Sequence, residues 1–194
     1  MNLPPLYGVT PDPSSSPDSL TFLHGFARML GAGVRLAQLR AHSFDTDPDA
    51  YIDLLERAQA ISRAHGARLI ANAPPGAVAR AASIAPGVHL GSAALMACAA
   101  RPVPRSVLFS AACHDLAQLQ KAQALHADFV TLSPVLDTAT HPEARALGWT
   151  RFAALASGVR IPVYALGGME PAMLEVARAH GAHGIAAIRA LWPG

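Results

Sequence analysis

Residues 34–65 decide the fold prediction, and they read VRLAQLRAHSFDTDPDAYIDLLERAQAISRAH. The segment opens with a short apolar run in which Leu36, Gln38 and Arg40 share one face, because side chains alternate along a β-strand. Farther along, apolar residues recur at spacings of three and four, as on the buried face of an amphipathic helix. The segment therefore predicts one strand followed by one helix.

The same strand and helix unit recurs from one end of the chain to the other. The strand-like runs begin near Leu6, Val34, Arg68, Gly87, Ser106, Phe129, Pro162 and Gly184. The helical patterns between them cover residues 19–30, 48–65, 76–84, 92–100, 114–126, 149–156 and 170–180. Strict alternation predicts a parallel sheet, either open and doubly wound or closed. Eight strands favour an α/β fold with a single (β/α)8 TIM barrel over residues 1–194.

Loop lengths indicate which end of the barrel carries the site. The strand-to-helix connections at 11–18, 41–47 and 135–148 are long, whereas the helix-to-strand connections are short. In such barrels the loops at the carboxyl ends of the strands carry the active site. Only residues 189–194 follow the last strand, so the eighth helix should be truncated or missing. The N-terminal arm, the Leu191-Trp192 tail or a second copy would then cover the gap, and we expect a homodimer.

Composition excludes several classes of protein. The 194 residues are 52% hydrophobic and 14% charged, which argues against disorder, and no apolar stretch is long enough for a membrane span. The net charge is +2 and the basic residues are scattered, so a nucleic-acid partner is not expected. Cys98 and Cys113 predict free thiols rather than a disulfide scaffold or zinc site. The N-terminus shows no signal-peptide pattern, which predicts a cytoplasmic protein.

Two groups of residues predict a site for a phosphorylated small molecule. Gln38 and Arg40 end the second strand on one face and should point into the mouth of the barrel, to contact a ligand. The alternative for Arg40 is an ion pair with a carboxylate at the rim. Gly167 and Gly168 follow the seventh strand, where phosphate sites recur in TIM barrels, and glycines there allow the backbone to approach an anion. A sharp turn at this place would also need glycines, whether or not it binds an anion. Arg189, just after the eighth strand, would add a guanidinium beside the same place.

Other candidates have competing structural interpretations. Thr138, Thr140 and His141 in the long sixth loop could clasp an anion, but they are also ordinary loop residues. His89 lies in an apolar strand, where a hydrogen-bonded core histidine is the alternative to a ligand contact. Cys113 and His114 are sequence neighbours and should not face each other, and Asp115 should cap the following helix.

Several motifs, in order along nearly the whole chain, resemble the thiamine phosphate synthase/TenI superfamily. They are Leu6-Tyr7-Gly8-Val9-Thr10, Gln38-Leu39-Arg40, Asn72, Gly87-Val88-His89-Leu90-Gly91, Ala127-Asp128, Ser133-Pro134-Val135, Thr138-Ala139-Thr140, Pro162, Gly167-Gly168 and Gly181-Ala182-His183-Gly184-Ile185-Ala186. The stretch from Cys113-His114 to Gly168 more closely resembles the synthase-like domain fused to some bacterial Nudix hydrolases.

The resemblance implies a barrel that joins an aminopyrimidine diphosphate to a thiazole phosphate and releases pyrophosphate with Mg²⁺. It places Gln38, Arg40 and Asn72 in the pyrimidine site. It places five positions around the thiazole phosphate: Thr138, Thr140, Gly167 or Gly168, Ile188 and Arg189.

This sequence departs from the family at the residues that handle pyrophosphate and metal. Ala73 and Ala94 stand where the family has its two magnesium carboxylates. His42 and His141 replace lysines, Ala112 replaces a serine, and Arg189 replaces a serine at the phosphate site. Mg²⁺ requires hard oxygen ligands, so the resemblance together with these losses predicts no metal cofactor.

Three functions remain open at this point. The first is an enzyme of thiamine metabolism, either a weakened synthase or a metal-free TenI-like tautomerase with His42, His89 or His141 as acid or base. The second is a non-catalytic binder of thiamine-type phosphates, serving a separate hydrolase. The third is a synthase whose metal site is rebuilt from other residues, such as Asp12, Asp45 or Asp137.

Overall fold

The computed structural model describes residues 2–74, 76–138 and 145–193, and eight strands alternate with helices over them. The strands are β1 (Leu6–Val9), β2 (Leu36–Arg40), β3 (Arg68–Asn72), β4 (Gly87–Leu90), β5 (Leu108–Cys113), β6 (Phe129–Leu132), β7 (Val163–Leu166) and β8 (Gly184–Ala187). The helices are α1 (Ser19–Gly31), α2 (Pro48–Ala64), α3 (Val78–Ile84), α4 (Ser92–Ala97), α5 (Leu116–Ala124), α6 (Gly148–Ala156) and α7 (Leu174–Ala179).

The strands close into one parallel barrel in the order β1 to β8. Each strand pairs with its sequence neighbour, and β8 returns to β1 with Tyr7 opposite Ala186. The register sets Val9 beside Gln38 and Arg40 beside Asn72, so the polar ends of neighbouring strands reach the same rim. The predicted (β/α)8 barrel is confirmed.

Local signals explain most element boundaries and two differences from the predicted ones. Asp18, Asp47 and Asp115 each cap a helix by accepting a hydrogen bond from a backbone N–H in its first turn, and the predicted cap at Asp115 is confirmed. The fifth strand starts at Leu108 rather than near Ser106, because Val107 donates to the Pro104 carbonyl in a turn. The seventh helical segment begins as a 3₁₀ turn at Pro171–Met173, a common start for a helix.

The barrel interior has an aromatic floor. The rings of Tyr7, Phe129 and Tyr164 are fully buried, with centroids 5.4–5.5 Å apart. Below them the N-terminal arm crosses the amino-terminal end of the barrel, where the Tyr164 hydroxyl donates to the Pro4 carbonyl. This end is therefore closed, and the opposite end is the one open to ligands.

A tail, rather than a helix, follows β8 among the described residues. Trp192 stacks on Phe22 of α1, with ring centroids 5.3 Å apart. The indole ring also lies against Gly25, where an added Cβ atom would be 2.6 Å from Trp192 Cζ2. The prediction that the eighth helix is missing is confirmed over the described residues, and the Leu191-Trp192 tail covers part of the gap. Within the same residues, no helix has the length and apolar character needed to cross a membrane.

Candidate functional site

Two adjoining cavities occupy the carboxyl end of the barrel. The small cavity has a volume of about 440 Å³ and lies between the loops after β7 and β8, with Thr138 at its edge. The large cavity has a volume of about 650 Å³ and lies over the barrel axis. Thr138, Leu166, Gly167 and Ile188 line both cavities. One elongated molecule could therefore occupy the two together.

The small cavity is lined almost entirely by the two loops named in the phosphate prediction. Its wall runs from Leu166 to Glu170 on one side and from Ala186 to Ala190 on the other. Arg189 is exposed at its rim, and Glu170 supplies the one carboxylate among the described lining residues. The wall thus combines backbone groups, one guanidinium and one opposing charge.

Gly167 and Gly168 form a sharp turn, which is the structural alternative to phosphate binding for a double glycine. Both have left-handed backbone conformations, with φ of 100° and 67°. A Cβ on Gly167 would lie 2.8 Å from Pro134 Cα, and a Cβ on Gly168 would lie 2.8 Å from Leu136 Cβ. These glycines therefore fit a tight turn and close packing against the sixth loop, whatever anion the turn also binds.

Backbone hydrogen bonds hold the sixth loop in place beside them. Val135 N donates to Leu166 O at 2.9 Å, and Leu136 N donates to Gly167 O at 3.1 Å. On the other side, Gly148 N donates to Val135 O at 2.9 Å. The loop is therefore fixed between β7 and the start of α6, and Thr138 is carried to the boundary between the two cavities.

The second strand supplies one wall of the large cavity. Gln38 is buried inside the barrel, Arg40 is half-buried at its rim and His42 is exposed beside them. Thr10 links this wall to β1: its Oγ1 accepts from Arg40 N at 3.0 Å and donates to Arg40 O at 3.2 Å. His42 lies 3.5 Å from the Asp45 carboxylate.

His89 is both a core histidine and part of the cavity wall. Its Nδ1 lies 2.8 Å from Ser110 Oγ, and the ring also lines the large cavity. Burial lowers the pKa of His89 to about 3, with a smaller contribution from nearby His42. The ring is therefore neutral near pH 7 and is a hydrogen-bonding group rather than a cation.

The structure places in the site three polar residues to which the sequence patterns assigned no ligand role, namely His114, Ser133 and Thr131. All three line the large cavity. His114 Nδ1 donates to the Ser133 carbonyl at 2.9 Å, and Ser133 Oγ is 3.3 Å from the same nitrogen. Alternation along β5 and β6 carried a signal for them, because Ser110, Ala112 and His114 share one face and so do Phe129, Thr131 and Ser133.

Cys113, by contrast, points away from the mouth. Its thiol is fully buried in the layer between barrel and helices, and burial raises its pKa to about 12, with Asp115 adding to the effect. Cys113 and His114 therefore face opposite sides of the strand, as the sequence interpretation held. Cys98 and Cys113 are both free thiols.

The remaining predicted residues are not all brought together. Asn72 lies opposite Arg40 in the register but is absent from the described linings of both cavities. Thr140 and His141 lie outside the described residues. Gln38, Arg40, His42, His89, Thr138, Gly167, Gly168, Ile188 and Arg189 all line one cavity or the other. Their roles toward a ligand stay predictions.

Asp12, one of the carboxylates near the mouth, is held by hydrogen bonds from the protein. Asp12 accepts from Ser14 N at 3.1 Å and Ser43 N at 3.0 Å. Partial burial would raise the pKa of Asp12, but hydrogen bonds from Ser43 and Ser14 outweigh it and lower the pKa to about 2. Over residues 2–74, 76–138 and 145–193, no three His, Cys, Asp or Glu side chains are grouped closely enough to hold a metal ion.

The fold is that of a TIM barrel with two joined cavities at the carboxyl ends of its strands, the candidate site for a small molecule. The family model for thiamine monophosphate synthase matches residues 6–191, and the chain belongs to that family.

Curated relatives support the same assignment. The chain is 33% identical over 188 residues to "Putative thiamine-phosphate synthase 2" of Aquifex aeolicus, covering 97% of each chain. It is 32% identical over 185 residues to the thiamine-phosphate synthase of Thermus thermophilus, covering 94% of this chain and 86% of that one. Among solved structures, it is similar to a thiamine phosphate pyrophosphorylase from Pyrococcus furiosus, with a TM-score of 0.73, 21% identity and coverage of 94% and 84%. That last similarity concerns the fold alone.

Proposed function

We propose that this chain binds a thiazole-phosphate-type compound of thiamine metabolism across the two cavities. The observation that carries the proposal is their junction at Thr138, Leu166, Gly167 and Ile188. The phosphate occupies the small cavity and the ring occupies the large one. Family membership supports the class of ligand.

The phosphate end relies on Arg189 and on the backbone of the seventh loop. A guanidinium forms strong, paired hydrogen bonds with phosphate oxygens. Glu170 lines the same cavity, and its charge opposes the anion unless the side chain turns outward. Arg189 is therefore the residue on which discrimination of a phosphorylated ligand depends.

The Mg²⁺-dependent coupling reaction of the family does not fit these residues. Ala73 and Ala94 offer no oxygen ligand, and Ala94 is exposed on α4. Asp12 and Asp45, two candidates for a rebuilt site, are engaged by Ser14 and Ser43 and by His42 respectively. Asp137 is exposed in the sixth loop. We propose that the chain does not catalyse pyrophosphate release with a resident metal.

A tautomerase of the TenI type is the second candidate, and His114 is the observation that favours it. Donation to the Ser133 carbonyl fixes the proton of the neutral ring on Nδ1, so Nε2 carries a lone pair. A base of this kind could remove a proton from a ring carbon and return one at another position. His42 lines the same cavity, and neutral His89 could orient the ring.

The third candidate is a non-catalytic binder of thiamine-type phosphates that serves a separate Nudix hydrolase. It shares the same site and differs only in the absence of turnover.

We also propose that the protein is cytoplasmic and that it forms a homodimer. Trp192 already packs on α1 where the dimer was expected to form, so sedimentation equilibrium is the direct test, with twice 20.2 kDa as the expected mass.

A ligand screen followed by a turnover assay tests the proposal. Thermal shifts are measured with thiazole phosphate, the unphosphorylated thiazole alcohol, aminopyrimidine diphosphate and thiamine phosphate, each with and without Mg²⁺. We expect thiazole phosphate to raise Tm more than the alcohol does, independently of Mg²⁺. Equal shifts for the two thiazoles, or none for either, would contradict the proposal. NMR of the thiazole ring protons in ²H₂O then separates tautomerase from binder.

A further inference from the structure

The barrel interior changes character between its floor and its mouth. The floor is aromatic, formed by Tyr7, Phe129 and Tyr164. Beside and above it, four buried polar side chains stand where branched aliphatic residues usually fill TIM barrels, and three of the four line the large cavity. They are Gln38, His89, Ser110 and Thr131. A polar layer at this depth needs hydrogen-bond partners.

Two of these side chains have hydrogen-bond partners, whereas a third has none among the described residues. His89 Nδ1 and Ser110 Oγ form a hydrogen bond at 2.8 Å, and Ser110 also donates to Val88 O at 3.4 Å. The Thr131 hydroxyl is buried and has no hydrogen-bond partner within the described part of the chain. Leaving a buried hydroxyl unpaired is unfavourable, and such groups require an explanation.

Packing alone does not account for a threonine here. Valine has the same shape, suits a strand equally well and brings no polar atom. Thr131 is 1% exposed and lines the large cavity, and its neighbour on β5 is the small Ala112, which lines the cavity too. The cavity therefore reaches down to Thr131, and rotation about χ1 exchanges its methyl and hydroxyl groups.

We propose that Thr131 is a specificity-determining residue whose hydroxyl forms a hydrogen bond with the ring of the bound ligand. The inference rests on the proposed function, because it concerns the ring end of the same molecule whose phosphate lies near Arg189. The ligand class it selects is a heteroaromatic ring with a hydrogen-bonding edge. A purely apolar ring of equal size would leave the hydroxyl unpaired.

The ring that Thr131 selects should also be uncharged. His89 is neutral near pH 7 because of its burial, and Arg40 contributes a positive charge at the rim. Within the described lining of the large cavity there is no carboxylate to balance a cationic ring. Thiazole phosphate, with a neutral ring, should therefore bind more tightly than thiamine phosphate, whose thiazolium is a cation.

Two variants separate a ligand contact from a structural role. Thr131→Val removes the hydroxyl and keeps the shape, whereas Thr131→Ser keeps the hydroxyl. Tyr51→Phe is the matched control, because the Tyr51 hydroxyl is also buried without a partner among the described residues, but Tyr51 lies on α2 and lines neither cavity. Tm of the free protein and calorimetric Kd for thiazole phosphate and thiazole alcohol are measured for each.

We expect Thr131→Val and Tyr51→Phe each to raise Tm of the free protein, since both remove an unpaired hydroxyl. Only Thr131→Val should weaken binding, by about tenfold for both thiazoles, while Thr131→Ser stays within about threefold of wild type. Unchanged binding in Thr131→Val would overturn the inference and leave the proposed function standing. If the wild-type protein binds neither thiazole, the proposed function fails and this inference fails with it.

Discussion

The Nδ1 atom of His89 lies 2.8 Å from the Oγ atom of Ser110 inside the barrel. Ser110 donates its own proton to the Val88 carbonyl, so its oxygen accepts from the N–H of the histidine. Burial keeps the imidazole neutral near pH 7, and the hydrogen bond to Ser110 then places its proton on Nδ1 and its lone pair on Nε2. A neutral buried histidine has a direct consequence for stability in acid.

The free energy of unfolding should fall as the pH falls from about 6.5 to about 3. Unfolded His89 takes up a proton below about pH 6.5. Folded His89 does so only below about pH 3, because burial lowers its pKa. The unfolded state thus binds more protons in this window, which costs about 1.4 kcal/mol of stability per pH unit.

Urea unfolding between pH 8 and pH 4 checks this for wild type and His89→Gln. The variant should lose less stability on acidification, whatever its stability at pH 8. His24→Gln, at an exposed position on α1, serves as the control and should follow the wild-type profile. Parallel profiles for His89→Gln and wild type would show that His89 is not the group responsible.

Arg189→Ala should weaken binding of thiazole phosphate by about tenfold or more, because charge-assisted hydrogen bonds to phosphate are lost. Binding of the unphosphorylated alcohol should not change. Calorimetry measures both constants, with Arg63→Ala at the opposite end of the barrel as the control. This variant is a cleaner test than Gly168→Val, since a side chain at Gly168 would collide with Leu136 and Asp137 and disturb the loop itself.

Gly25→Ala should destabilise the protein by about 1–3 kcal/mol, because the new methyl group would overlap Trp192. Gly31→Ala, at the end of the same helix, has its nearest contact at 3.9 Å and should be neutral or slightly stabilising. Chemical denaturation gives both values. In the double variant Gly25→Ala/Trp192→Ala the two losses should be less than additive, and strict additivity would contradict the contact.

Mg²⁺ should bind without a stoichiometric micromolar site in the large cavity, because Ala73 and Ala94 provide no ligand oxygens. Titration calorimetry with MgCl₂, alone and with aminopyrimidine diphosphate, measures this. The Ala73→Asp/Ala94→Asp variant provides the comparison, since it restores carboxylates at both positions. A saturable site in the wild-type protein would restore the synthase as the leading function.

The sequence predicted the barrel because strands and helices are specified by patterns among residues that are close together in the chain. Alternating runs such as Leu36, Gln38 and Arg40 define strands by a period of two, and the capping aspartates mark where helices begin. Few architectures are compatible with eight repeats of one strand and helix unit. The same periodicity applies to His114, Thr131 and Ser133 at the ends of β5 and β6, but it does not distinguish a side chain that lines a cavity from one that is buried in the core.

At Gly167 and Gly168 the sequence predicted the local conformation but not the tertiary contacts. The sequence determined that the seventh loop turns sharply, since two adjacent glycines permit left-handed backbone. Only the tertiary structure decided that the turn packs against Pro134 and Leu136, because that contact joins segments about thirty residues apart.

The sequence by itself thus determined the fold and the open end of the barrel, both of which depend on residue type and spacing, and the resemblance to the family indicated the loss of two carboxylates. The tertiary structure decided which polar groups are buried with a partner and which without. His89 has Ser110, and Thr131 has none among the described residues. Whether a buried polar group has a hydrogen-bond partner depends on its distance from residues on other strands, which are remote in sequence. The periodicity within one strand does not contain that distance.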